Sequence, residues 1–137
     1  MSWQEDTAAR TLAQEARGEP EAGQLAVAWV IRNRVMDGRW GNNLASVCLW
    51  RAQFSGWYDP KDPNFAYATG LPDDNHTLQE MLGIIQTVMD ADTATDLTGG
   101  ALFYYAASMT APPDWAETMT PCGKFGNQLF FTDRGSV

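Results

Sequence analysis

Apolar residues recur at helical spacing in three stretches and gather in short β-prone runs only toward the C-terminal end. Ser2-Trp-Gln-Glu5 has the spacing of a capping box, which predicts a helix from near Trp3. Ala9, Leu12, Ala13 and Ala16 follow at i, i+3, i+4 and i+7 as its buried side, and Gly18 and Pro20 end it. A second helix is expected to start at Pro20 as a first-turn proline and to run to about Met36. Leu25, Val27, Ala28, Trp29, Val30, Ile31 and Val35 cover most of its circumference, so it reads as the buried centre, with Trp29 in the core. Residues 37–76 are rich in Gly, Asn, Asp and Pro and read as functional loops around one or two short helices. Thr77-Leu-Gln-Glu80 has capping-box spacing again. Leu78, Met81, Leu82, Ile85, Val88 and Met89 then line one face of a third long helix. Thr98-Gly-Gly100 breaks the chain. Ala101–Tyr105 is the best strand, and 124–132, with Gly126-Asn127 inside it, is a second strand or a hairpin. The expected fold class is α+β, mostly helical with a small β element, in a single domain over residues 1–137.

The 137 residues suit one domain, with a core large enough to need no staples. Net charge is −8, and such a surface repels phosphate backbones, so nucleic acid is excluded as a partner. The longest apolar stretch, Leu25–Ile31, is far too short to span a bilayer, so membrane insertion is excluded too. No signal peptide is visible at the N-terminus. Six tryptophans must either fill a core or line a groove. Cys48 and Cys122 are read as two semi-buried thiols, with a disulfide between them left open.

Elimination narrows the chemistry. A zinc amidase needs several imidazole or thiolate ligands, and the chain has one histidine, His76, so no metal or other cofactor is expected. A cysteine peptidase would have to pair His76 with one of the two cysteines, and His76 reads instead as a solvated residue at a helix start. Carboxylates remain. Glu15 falls in the last turn of a largely apolar helix, where the negative end of the helix dipole disfavours a second negative charge. Burial against Leu12 and the second helix would raise its pKa further. A glutamate kept protonated near neutral pH can protonate a departing glycosidic oxygen. The competing reading is a surface carboxylate paired with Arg17 or another arginine.

The run Glu15-Ala-Arg-Gly-Glu19-Pro, with Gly23-Gln24, Ala26-Val-Ala28, Val30-Ile31 and Asn33-Arg34-Val35, resembles the opening of the SleB/CwlJ cell-wall hydrolase family. Cys48, Gln53-Phe54-Ser55, the run from Thr98 to Tyr104, and Gly126-Asn127 with Phe130-Phe131 continue the likeness in order over about residues 8–131. The resemblance implies a lysozyme-like fold and cleavage of the β-1,4 bond between N-acetylmuramic acid and N-acetylglucosamine in peptidoglycan. It makes Glu15 the acid/base, in many members as that of a lytic transglycosylase, which needs no second carboxylate. A muramidase would need one, and Asp59, Asp62, Asp73 and Asp114 lie in suitable loops without a motif. A non-catalytic glycan-binding or virion protein of the same fold is the alternative from another class.

Further residues extend the expected site. Glu19, Gln53, Phe54, Ser55, Tyr104 and Tyr105 are the candidate substrate-binding residues, although Glu19 reads more readily as ordering its own turn, and Ser55 equally well as part of a turn that holds Phe54 in the core. Tyr104 and Tyr105 must face opposite sides of a strand, and Tyr105 is preferred for the groove. Trp50, Trp57, Tyr58 and Trp115 sit in loops, where they suit stacking on sugar rings. Arg32, Asn33 and Arg34 read as structural. Two departures from the family pattern, Ala106-Ala107-Ser108 and Gln128, fall where relatives often carry an asparagine and a histidine. The expected partners are peptidoglycan glycan strands. A bare catalytic segment without an export signal suggests a phage lysin, made in the host cytoplasm and acting on the wall through holin-dependent release or as part of a virion.

Overall fold

The structure is a computed structural model that describes residues 2–50, 54, 57, 59 and 61–134. Five helices come first: α1 (Trp3–Ala16), α2 (Glu21–Asp37), α3 (Leu44–Cys48), α4 (Pro63–Gly70) and α5 (His76–Asp90). Three strands come after them: β1 (Phe103–Ala106), β2 (Thr120–Phe125) and β3 (Gln128–Thr132). The α+β expectation holds, helix-rich with a small sheet. No helix among the described residues is long and apolar enough to cross a membrane.

The first helix starts as its cap predicts. Ser2 Oγ accepts the Glu5 backbone N–H at 3.1 Å and donates to the Glu5 carboxylate at 3.1 Å. Ala8, Ala9, Leu12 and Ala13 are fully buried. Three of these four are alanine, so neighbouring helices can approach the α1 backbone closely, and α1 packs against α2, α3, α4 and α5. The central place expected for α2 is therefore shared with α1. On α2, Val27 through Ile31 are buried as predicted, with Trp29 in the core, while Leu25 and Val35 are only half-buried and Ala26 joins the buried set. Pro20 caps this helix one residue before its start, and Gly38 closes it in the left-handed region (φ 90°), donating its N–H to the Arg34 carbonyl at 3.1 Å.

Several boundaries differ from the sequence reading, the strand expected at Ala101–Tyr105 among them, since β1 starts two residues later and runs to Ala106. α5 begins at His76, with Asn75 as its cap accepting the Leu78 N–H at 3.0 Å. Thr77 thus lies inside the first turn, and Glu80 pairs with His76 at 2.7 Å instead of completing a capping box. Asparagine caps as well as threonine does, which made two registers of cap equally plausible. The stretch expected to be one strand or a hairpin is a hairpin whose first strand starts at Thr120. Pro121 disguised that strand. It is tolerated because β2 is an edge strand, in the sheet order β1-β3-β2, and because the pairing shifts between Pro121 and Gly123.

Arg32, Asn33 and Arg34 fix α2 to the chain between α5 and β1. Arg32 donates to the carbonyls of Val88 and Ala91, Asn33 to the Asp96 carboxylate and the Ala101 carbonyl, and Arg34 to the Leu102 carbonyl at 2.8 Å. These contacts bring β1 alongside the C-terminal half of α2, which sets the sheet beside the end of α1 where Glu15 stands.

Candidate active site

Glu15 lies in the last turn of α1, and that turn is built to leave its carboxyl free for chemistry. Arg17 takes up the helix-end carbonyls of Ala13 (3.0 Å) and Gln14 (3.3 Å) and lies over the Tyr67 ring at 3.9 Å. Gln24 of α2 donates to the Ala16 carbonyl. The helix end is therefore satisfied without Glu15, and Arg17 is engaged elsewhere, contrary to the surface ion-pair reading.

The Glu15 carboxylate accepts the Tyr104 hydroxyl at 2.6 Å. Together with Arg34, Phe54, Phe103 and Trp115, these two residues line a small pocket of about 200 Å3. Burial raises the Glu15 pKa above the ordinary carboxylate range; the Tyr104 hydrogen bond opposes this, the Asp62 charge adds to it and the Arg34 charge opposes it. Arg34 is itself buried, which pulls its pKa down, and its guanidinium lies 4.7 Å from the Trp40 ring centre. The result is a carboxyl biased toward its protonated form, with a phenol fixing its orientation and a buried cation close enough to be felt.

The strand register decides which tyrosine meets Glu15. Tyr104 pairs with Phe130, and their rings stack at 5.4 Å on the face turned to the helices. Tyr105 points the other way, stacked on Phe131 at 5.4 Å and edge-on to Trp115 at 5.7 Å. The hydroxyl that reaches the candidate acid belongs to Tyr104, while Tyr105, the residue preferred for the groove, packs on Trp115 at the pocket's border. Trp115, read as a loop aromatic, sits in a short 3-10 turn (Asp114–Thr118) and borders the pocket while packing on Phe103 and Phe131.

Other expected site residues take different places. Glu19 accepts the Asn127 backbone N–H at 2.7 Å and its side-chain amide at 3.1 Å, tying the α1–α2 turn to the β2–β3 turn. Close approach is needed there: a Cβ on Gly126 (φ +60°) would come within 2.6 Å of the Glu19 carboxylate. Phe54 is almost fully buried and forms a wall of the pocket. Gln53, Ser55 and Tyr58 lie outside the described residues. Trp57 donates its indole N–H to Thr11 at 2.8 Å, and Trp50 stands at a separate groove. The two departures from the family pattern meet across the sheet, Ala106 pairing with Gln128 at the end of the ladder.

Among the four loop carboxylates, Asp73 bonds Arg10, Asp59 caps its own turn, Asp114 opens the 3-10 turn, and Asp62 caps α4 with its charge felt at Glu15. The cysteines are free; Cys48 is buried, with its thiol pushed up to about 12, and neither it nor Cys122 meets His76, which pairs with Glu80. Sequence reasoning missed Phe103 and gave Arg34 only a structural role. The helical position of Arg34, on the buried side of α2, carried the one available signal.

Replacing Tyr104 with phenylalanine keeps the stack on Phe130 and removes only the hydroxyl. Glu15 then loses a stabiliser of its ionised form, so its pKa rises. A reaction that needs protonated Glu15 is expected to hold its activity to higher pH, while kcat falls because the carboxyl is no longer oriented. A pH–rate profile beside the unaltered protein checks this, and an unmoved alkaline limb would contradict it.

Residues 18–131 match the family model described as Cell Wall Hydrolase, a stretch that begins just past Glu15. Spore cortex-lytic enzymes of Bacillus cereus and Halalkalibacterium halodurans are 34% and 31% identical to the chain over 116 residues, 85% of its length. The chain spans only 39% and 31% of those relatives. Among solved structures, it is similar to the catalytic domain of the germination-specific lytic transglycosylase SleB from Bacillus anthracis, with TM-score 0.70 and 28% identity over 96% of this chain and 97% of that one. The catalytic domain of the Bacillus cereus SleB protein matches with the same TM-score and identity, over 96% of this chain and 91% of that one. The fold shared with these domains is lysozyme-like, as the sequence led us to expect. With most of its length matched by the family model and by these relatives, the chain belongs to the cell wall hydrolase family.

Proposed function

We propose that the chain cleaves the glycan strands of peptidoglycan at the β-1,4 bond between N-acetylmuramic acid and N-acetylglucosamine, with Glu15 as the single acid/base of a lytic transglycosylase. The observation that carries this reading is the Glu15 carboxyl, with its pKa raised by burial, oriented by Tyr104 and opening on a pocket walled by aromatic rings. Likeness to a lytic transglycosylase catalytic domain supports the same choice.

The chemistry needs two proton transfers. The Glu15 carboxylic acid gives its proton to the glycosidic oxygen as the bond from that oxygen to the muramic acid C1 breaks, leaving positive charge at C1. The Glu15 carboxylate then takes the proton of the muramic acid 6-hydroxyl as that oxygen bonds to C1. The product is a 1,6-anhydro end; no water is consumed, and Glu15 regains its proton. Burial keeps Glu15 protonated for the first step and strengthens it as the base of the second, while the Tyr104 hydrogen bond stabilises the carboxylate formed between them. In this reading Phe54 and Trp115 offer apolar faces to the sugar, while Gln53 and Ser55 bond its acetamido and hydroxyl groups. Glu19 and Tyr105 act from behind, by holding the hairpin turn and the sheet.

A second reading is hydrolysis, favoured by the Asp62 charge felt at Glu15. Two carboxylates of an inverting or retaining glycosidase work on one bond. Mass spectrometry of the fragments released from purified peptidoglycan tests the choice. Fragments ending in 1,6-anhydro-muramic acid are expected; fragments one water heavier would make the chain a muramidase with Asp62 as the first residue to replace. Binding without any cleavage would refute both readings.

A further inference from the structure

A second groove lies at the other end of α1. Gln4 in the first turn and Glu15 in the last are eleven residues apart, about 16 Å along the axis at ~1.5 Å per residue. Trp3 (66% exposed) and Trp50 (42% exposed) line this groove of about 460 Å3, with Gln4, Asn43, Ser46 and Leu49. It shares none of these lining residues with the Glu15 pocket. An exposed tryptophan is costly when nothing uses it, and here two of the six fall on one groove.

The polar part of the lining is held rigidly. Gln4 accepts the Ala45 backbone N–H at 2.7 Å, docking α1 on α3. Asn43 and Ser46 form a reciprocal capping box, Asn43 accepting the Ser46 N–H at 2.9 Å and donating its own N–H to Ser46 Oγ at 3.3 Å. Gly41 lies against it at φ +90°, where an added Cβ would fall 2.2 Å from Ser46 Oγ. In both amides the oxygen is taken up by the backbone, so Gln4 and Asn43 offer a ligand their NH2 groups as donors. Among the described residues no charged side chain lines the groove, on a chain of net charge −8.

We propose that this groove is a second carbohydrate site, which takes a neutral stretch of N-acetylhexosamine glycan and holds the polymer while the Glu15 pocket works elsewhere on it. Indole faces suit the C–H faces of pyranose rings, and fixed NH2 donors suit acetamido carbonyls. The described lining, being uncharged, lets sugar rings dock clear of the protein's carboxylates. Its described residues offer no cation to a phosphate, a lipid headgroup or a carboxylate of a peptide stem. The polymer's identity rests on the function proposed above; the site itself rests on the groove.

The test uses the full chain carrying Glu15→Gln, so that bound glycan stays intact, with and without the pair Trp3→Ala and Trp50→Ala. Sedimentation with purified peptidoglycan sacculi and titration with a soluble N-acetylglucosamine tetramer read binding. Both should weaken about tenfold or more in the double variant, with partial recovery when phenylalanine replaces each tryptophan. On the Glu15-intact background the same pair should slow the release of fragments from sacculi and leave the cleavage of short soluble glycans unchanged. Unchanged binding in the double variant overturns the proposal. So does equal loss of soluble and insoluble cleavage, or a preference of the groove for stem peptide over glycan. A chain that cleaves nothing yet loses wall binding with the two tryptophans would refute the enzymatic reading and leave this one standing.

Discussion

Glu15→Gln is expected to abolish glycan cleavage while the protein stays folded. The amide matches the carboxyl in size and still accepts the Tyr104 hydroxyl, so the pocket keeps its shape. It cannot give up a proton, and a positioned general acid contributes about 10²–10⁴-fold to rate. With the same group also serving as the base of the second step, the loss should reach the upper end of that range. Stability gives an independent readout. The Glu15 pKa is raised in the folded state by burial. Its contribution is therefore fully present below the unfolded value and is lost as pH rises through the folded one. The glutamine variant carries no such titration, so its stability relative to the unaltered protein should improve as pH rises from about 4 to 8. Urea denaturation across that interval measures it. An active Glu15→Gln protein would end the assignment, and a variant that fails to fold would show that the carboxylate has a structural task.

Much of the architecture was legible because local rules and packing agree there. The Ser2 cap, the apolar face of α5 from Leu78 to Val88 and the Gly126-Asn127 turn all appear where spacing puts them. α1 was harder to rank. It buries Thr7, Arg10, Thr11 and Gln14 along with its alanines, so hydrophobicity understated how central it is. Arg10, paired locally with Asp6, lies there because it also satisfies the Ala68 and Leu71 carbonyls and pairs with Asp73, partners 58 to 63 residues away that no local window contains.

The candidate site divides along the same line. Glu15 stood out through its helix position and through the family motif around it. Glu19 sits in the same motif, yet its carboxylate is taken up by Asn127, 108 residues on, which gives the Gly126-Asn127 pair its place in the same pattern. For Tyr104 and Tyr105, alternation shows that they face opposite sides but not which side holds the acid. That depends on the pairing of Tyr104 with Phe130 and on the seating of β1 against α2 through Asn33 and Arg34, and both are long-range.

Arg34→Met is the other substitution with a large expected effect, of about 3 kcal/mol in stability near neutral pH. Methionine keeps much of the volume among Trp40, Phe54 and Phe103, so little of the loss comes from packing. Among its described partners, two other terms matter. The Leu102 carbonyl loses a buried charged donor, and Glu15 loses the cation that favours its ionised form. The second term has a sign that can be tested. Without Arg34 the Glu15 pKa rises further, so the variant's deficit should be smallest at about pH 4, where the carboxyl is protonated in either protein. It should grow as pH rises and ionisation must occur beside no cation. Adding Glu15→Gln to Arg34→Met removes the titrating group, and the deficit of the double variant against Glu15→Gln alone should then be flat in pH. Activity obeys the same logic: whatever cleavage survives in Arg34→Met should persist to higher pH than in the unaltered protein. A deficit equal at pH 4 and pH 8 would mean that Arg34 acts on the Leu102 carbonyl alone, with the charge of Glu15 screened from it. A deficit that vanishes in the Glu15→Gln background would assign the whole effect to the carboxylate, making Arg34 a residue that tunes the acid and not one that holds the sheet.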